Sequence, residues 1–194
     1  MQEVEHMDIE LRLETPADYA ETEKVVREAF WNVYAPGCTE HYLVHVMRSS
    51  ENFVRELAFV AVADSKIVGC VMFVKGTIAG DDGVVREVLT LGPIAVLPAY
   101  QNYSRVGFEP AENFGIRTAD NKYFVALQIC PLQEKRPESY AGRYSDDAVY
   151  NISQEAAFEF DQQFPPKDRL ENTPTQKRLL EIIEMQRPFD GAKR

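Results

Sequence analysis

Two histidines four residues apart, His41 and His45, fall on one side of a short helical stretch, a spacing that can hold a metal ion. No third ligand has a place beside them, so packing or solvated histidines account for the pair better. Glu87 stands just ahead of a long apolar run and could take a proton from an amine as general base; a carboxylate at a strand entrance is also commonly just solvated. The cysteines Cys38, Cys70 and Cys130 are odd in number, widely spaced and without a C-x-x-C pair. They read as buried thiols in a reducing compartment rather than as disulfides or a zinc site. Gly80-Asp81-Asp82-Gly83 lacks the length and ligand series of a calcium loop and reads as a hairpin turn.

The 194 residues have room for one domain, or one domain with an extension, and with 45% hydrophobic residues they can bury a core. A net charge of −10 argues against binding a phosphate backbone and favours a cationic amine as substrate. No apolar run approaches the ~20 residues of a membrane span, and residues 1–10 have neither the basic start nor the apolar core of a signal peptide. The expectation is a soluble cytoplasmic protein without nucleic-acid or membrane partners.

Elements follow from periodicity and caps. Ile9 to Leu13 alternates as a strand with one buried face. Thr15-Pro16-Ala17-Asp18 opens a helix whose inward face is Tyr19, Thr22, Val26, Ala29 and Phe30. Thr39 starts a second helix through Arg48. Leu57–Ala63 and Ile67–Val74 form a hairpin about Asp64-Ser65-Lys66, and Gly80–Gly83 turns into Val84–Val88 and a further strand. Lys122–Leu132 reads as one strand and residues 133–150 as a surface loop. Ser153 caps a helix over Gln154–Phe164, Thr173-Pro174-Thr175-Gln176 is a capping box for a helix to Met185, and the tail from Arg187 reads as frayed.

The run Leu89–Leu97 suits a sheet strand kinked at Gly92-Pro93, and Tyr103–Phe108 suits a helix end passing through Gly107 into another strand. With the first strand and helix at 9–30 and the hairpin at Phe59–Gly69, these segments, in this order, resemble the GNAT superfamily of N-acetyltransferases, in particular its bacterial predicted small-molecule acetyltransferases. The resemblance implies a mixed α/β fold with a central, mostly antiparallel sheet and flanking helices. It implies acetyl-CoA as cofactor, with Leu91, Ile94, Ala95 and Val96 along the pantetheine arm and Gln101 opening the pyrophosphate signature. Tyr103 matches the tyrosine that protonates the leaving thiolate; an aromatic packed beneath the sheet is the plainer alternative. Trp31, Tyr34 and Tyr42 lie where the family borders its acceptor site, either as pocket lining or as core. The acceptor would be a primary amine of a small molecule or peptide.

One departure stands out. Only Pro98-Ala99-Tyr100-Gln101-Asn102 separates the strand from the helix end, whereas a parallel crossover needs at least ~10–12 residues. The family's glycine-rich turn, its helix and the next strand have no residues to form them, so the fold reads as truncated after the fourth core strand. The chain then divides into a truncated GNAT-like domain at 1–132 and a C-terminal loop and helical extension at 133–194. Activity is in doubt, acetyl-CoA binding should be weak, and the edge Leu89–Leu97 is free to pair with a second copy as a homodimer. The rival readings are a non-catalytic remnant acting as an interaction module, and a shortened form of an active enzyme whose missing residues belong between Gln101 and Asn102.

Overall fold

The computed structural model describes residues 8–100, 107–132 and 140–190. Its contacts sort the chain into two units, Met1–Val74 with Thr90–Asn102 and Ala148–Glu171, and Lys75–Leu89 with Tyr103–Asp147 and Asn172–Arg194. Neither coincides with residues 1–132 or 133–194. No helix among the described residues is long and apolar enough to cross a membrane.

In the first unit, β1 (Glu10–Leu13) is followed by α1 (Tyr19–Phe30), α2 (Glu40–Met47), β2 (Phe59–Ala63) and the start of β3 (Lys66–Gly80). The last part of β4 (Val85–Val96) and α3 (Gln154–Asp161) complete it. β1 runs antiparallel to β2, with Leu11 opposite Ala61. The face expected to be buried is turned outward: Leu11 is 72% exposed. The reason is electrostatic. Arg12, on the other face, forks onto Asp18 at 2.7 and 2.8 Å, and the Thr15 N–H donates to the same carboxylate at 2.8 Å. The Arg12 bond holds the Asp18 carboxyl well below its ordinary range. Asp18 thus ends the turn that starts α1, which packs Val25 and Val26 against Val44, Met47, Val60 and Met72.

β2 returns as β3 through Asp64-Ser65, both in the left-handed region that a two-residue hairpin turn requires. β3 is longer than the expected 67–74 because its far end finds a partner in the second unit. Among described strands β4 pairs with β3 alone. Val84 C=O accepts from Gly80 N–H, and Leu97 N–H donates to Val68 C=O. An even-numbered residue faces β3 at one end and an odd-numbered one at the other, so one extra residue sits between them, as at a bulge. Gly92, with φ 153°, and the cis bond to Pro93 mark the irregularity.

The second unit holds the far ends of β3 and β4 with β5 (Glu109–Pro110), β6 (Ile116–Arg117), β7 (Lys122–Tyr123), β8 (Gln128–Ile129), β9 (Gly142–Ser145), α4 (Pro174–Glu184) and β10 (Arg187–Pro188). Here three expectations are corrected. Lys122–Leu132 is not one strand: β7 pairs with β10 and β8 with β5, and Leu127 N–H turns back to Phe124 C=O between them. The loop expected over 133–150 contains β9, antiparallel to β3 and parallel to β6. Gly142 allows that approach, since a Cβ there would lie 2.5 Å from the Ala79 carbonyl oxygen. The tail at Arg187–Pro188 is pinned rather than frayed, with Phe189 4.0 Å from the Arg117 guanidinium, which also pairs with Asp81. The capping box starts α4 as expected, but Leu180 and Ile183 on it are exposed. The helix end expected at Tyr103 lies outside the described residues; the strand after Gly107 is the two-residue β5.

A buried charge network ties β1, α1 and α2 together. Arg48 forks onto Glu14 at 2.8 and 3.1 Å and reaches Glu23 at 2.7 Å, with its guanidinium 4.0 Å from the Tyr19 ring. The three side chains are between 2% and 9% exposed. Arg48→Ala would leave two buried carboxylates without their cation, so urea denaturation should show a loss of about 3–5 kcal/mol.

Candidate functional site

The apolar pattern of Leu89–Leu97 places the expected pantetheine strand at the end of β4. Along it Ala95 is buried in the core, Ile94 is 57% exposed on the opposite face, and Leu91 and Val96 are half-buried. A ligand could therefore meet Ile94 by side chain but Ala95 only by backbone. The Gly92 carbonyl accepts a 2.9 Å bond from the Tyr150 hydroxyl. Among the described strands β3 is the one that pairs with β4. Among the described residues no α-helix begins between β4 and α3. Gln101 and Tyr103 lie outside the described residues. Glu87 sits on an exposed face of β4 in the second unit, 3.3 Å from Lys75.

The aromatic candidates of the first unit all meet neighbours, and two of them meet residues far along the chain. Trp31 lies against the Arg27 guanidinium at 4.2 Å and donates its indole N–H to Asp168 C=O at 2.9 Å. Tyr42 packs on Phe160, with ring centroids 5.3 Å apart. Tyr34 is half-exposed and touches Phe30 at 5.8 Å. Trp31 and Tyr42 therefore both face α3 or the segment after it.

The two histidines point to different carboxylates. His45 Nδ1 lies 3.1 Å from Glu23. His41, fully buried, places Nε2 3.1 Å from Asp161 Oδ1 without the alignment of a hydrogen bond, and Nδ1 3.3 Å from Cys38 Sγ. Its ring is flanked by Phe160 and Phe164. Asp161 is engaged by Arg27, whose Nε and Nη2 lie 2.5 and 3.2 Å away. The order cysteine, histidine, aspartate resembles a nucleophilic triad, but its chemistry is switched off by burial. Burial pushes the Cys38 thiol up to about 12, with Glu40 and Asp161 adding to it, and pushes the His41 imidazole down to about 4 against the pull of Asp161. At pH 7 both are neutral, and the group binds α3 to α1 and α2.

Sequence reading missed Arg27, Asp161 and Asn32. Arg27 and Asp161 stand 134 positions apart, and no local spacing signals such a pair.

No protein-family model matches the chain, and no curated protein matches it. Among solved structures, a GNAT family acetyltransferase from Brucella melitensis in complex with acetyl-CoA superposes with a TM-score of 0.53 at 22% identity, over 75% of this chain and 99% of that one. A conserved protein from Enterococcus faecalis V583, a probable N-acyltransferase, aligns over 49% of this chain and 22% of its own, with a TM-score of 0.38 and 16% identity. The chain has the GNAT fold, a mixed α/β arrangement with a mostly antiparallel sheet and flanking helices.

The His41 environment sets a pH dependence. In the unfolded chain a histidine protonates near 6.5, whereas the folded one stays neutral until about 4. The unfolded state thus binds the extra proton in that window, and stability present above pH 6.5 is lost as pH falls toward 4. The free energy of unfolding from urea titrations should fall by about 1.4 kcal/mol per pH unit there from this group, and His41→Gln should flatten the slope.

Proposed function

We propose that this chain is an acetyl-CoA-dependent N-acetyltransferase by descent, directed at a primary amine of a small molecule or peptide. In this reading it keeps the pantetheine strand and lacks the pyrophosphate cradle. The observation that carries the proposal is β4 itself: a bulged strand on a GNAT fold, with no described strand besides β3 beside it and no described α-helix beginning between it and α3. Acetyl-CoA, when bound, supplies the acetyl group as a thioester. Glu87 is the candidate to take the amine proton and Tyr103 to protonate the thiolate, with Trp31, Tyr34 and Tyr42 toward the acceptor.

Without the helix N-terminus, the ADP part of the cofactor contributes little. Calorimetry should give acetyl-CoA and acetyl-pantetheine dissociation constants within about threefold of each other. A hundredfold preference for acetyl-CoA would mean that phosphates are held elsewhere and would overturn the reading.

A second reading, a non-catalytic GNAT-fold interaction module, is favoured by Glu87, an exposed carboxylate ion-paired with Lys75 rather than enclosed beside a substrate. It would be the correct one if neither ligand binds. A third, that further residues belong between Gln101 and Asn102, predicts extra codons at that junction when the gene is resequenced.

A homodimer in which two copies pair along Leu89–Leu97 belongs to the same reading, supported by the apolar side chains Leu89 and Ile94 exposed there. Sedimentation should show a dimer that Ile94→Lys dissociates, since it places charge on the exposed side of that edge.

A further inference from the structure

The segment after α3 lies over the C-terminal end of α1 and is held by its own main chain together with the side chains of Lys167 and Arg169. Arg27 Nη2 donates to Pro165 C=O at 3.0 Å. Trp31 Nε1 and Asn32 Nδ2 both donate to Asp168 C=O at 2.9 Å, and the Leu170 N–H donates to Asn32 Oδ1 at 3.0 Å. One Asn side chain thus meets the carbonyl of one residue and the amide of the residue two further on, which recognises an extended chain without reading its side chains. Two side chains are read: the Arg169 guanidinium lies 3.9 Å over the Phe158 ring and 3.9 Å from Asp161, and Lys167 makes the second contact. Lys167 Nζ lies 2.7 Å from Glu28 and 5.6 Å from the centre of the Trp31 ring.

The clamp is built without its occupant. Asn32 stands in the left-handed region at φ 61°, its N–H donates to Gly37 C=O, and its Oδ1 accepts from Gly37 N–H, both at 2.8 Å. Arg27 is fixed independently by Asp161. Residues 165–170 are all exposed, so little apolar burial holds them, and their main-chain bonds can be exchanged for equal ones from another chain. Pro165-Pro166 presets an extended entry. A net charge of −10 favours a cationic segment.

We infer that the end of α1, with Asn32 as clamp and Glu28 and Trp31 as a lysine cradle, is a docking site for an extended lysine-bearing segment of another polypeptide, occupied in cis by residues 165–170. The site shares Trp31 with the proposed acceptor side, but docking there does not require acyl transfer.

The test uses the full-length Lys167→Ala/Leu170→Pro variant, which loses the lysine contact and the amide that bonds Asn32. A labelled, end-blocked peptide of sequence Pro-Pro-Lys-Asp-Arg-Leu is titrated and followed by anisotropy, with emission of Trp31, the sole tryptophan, as an unlabelled check. The variant should bind saturably and at least tenfold more tightly than the wild-type chain, whose site is filled. Replacing the peptide's lysine with alanine should weaken binding at least fivefold. Adding Asn32→Asp, which keeps the acceptor for Gly37 but removes the donor, should weaken it at least tenfold. No saturable binding by a variant that still unfolds cooperatively, or equal binding by the wild-type chain, would overturn the inference. If the variant does not fold, the wild-type chain decides. Peptide at roughly tenfold above the ~mM effective concentration of a tethered segment should speed hydrogen exchange of the Leu170 amide at least fivefold while leaving the Gly37 amide unchanged. Unaltered exchange at Leu170 would overturn it.

Discussion

A guanidinium and a carboxylate that are distant in the chain, Arg27 on α1 and Asp161 at the end of α3, meet in the interior of the first unit, and much of that unit's organisation follows from their pairing. The pair fixes α3 against α1 and α2, and it leaves Asp161 beside a histidine that burial keeps neutral. Arg27 also presents a second donor to Pro165, so the same guanidinium that closes the interior begins the path of the next segment. With one partner gone, the other would be a buried charge without compensation, which is why such a pair behaves as a constraint rather than as a modest surface contact.

The Cys38, His41 and Asp161 grouping shows how environment outweighs composition. Its distances would suit an activated thiol, yet activation needs a stabilised thiolate or a protonated imidazole, and burial disfavours both charged forms. The same low polarity strengthens the Arg27–Asp161 attraction. One environment therefore serves adhesion and suppresses nucleophilic chemistry.

β4 presents the complementary case of an irregular strand. At Gly92-Pro93 its carbonyl accepts from the Tyr150 hydroxyl, which ties the strand to the segment ahead of α3. The GNAT arrangement of sheet and helices stands around it.

Local chemistry was legible in the amino-acid order: the caps at Thr15, Ser153 and Thr173, the hairpins at Asp64-Ser65 and Gly80–Gly83, and the kinked apolar strand all depend on neighbours a few residues apart. The fold resemblance rested on these signals, and so did the recognition that five residues cannot form a crossover. Tertiary structure decided what depends on distant partners. Arg12 turned β1 over by finding Asp18, β9 arose where Gly142 could approach Ala79, and Lys122–Leu132 broke in two because its ends pair with different strands. Asn32 meets Asp168 and Leu170 across some 136 positions of chain, a pairing no local spacing announces. Periodicity reports which residues can share a face; which face is buried, and against what, is fixed by charge pairs and close approaches that the order of residues does not contain.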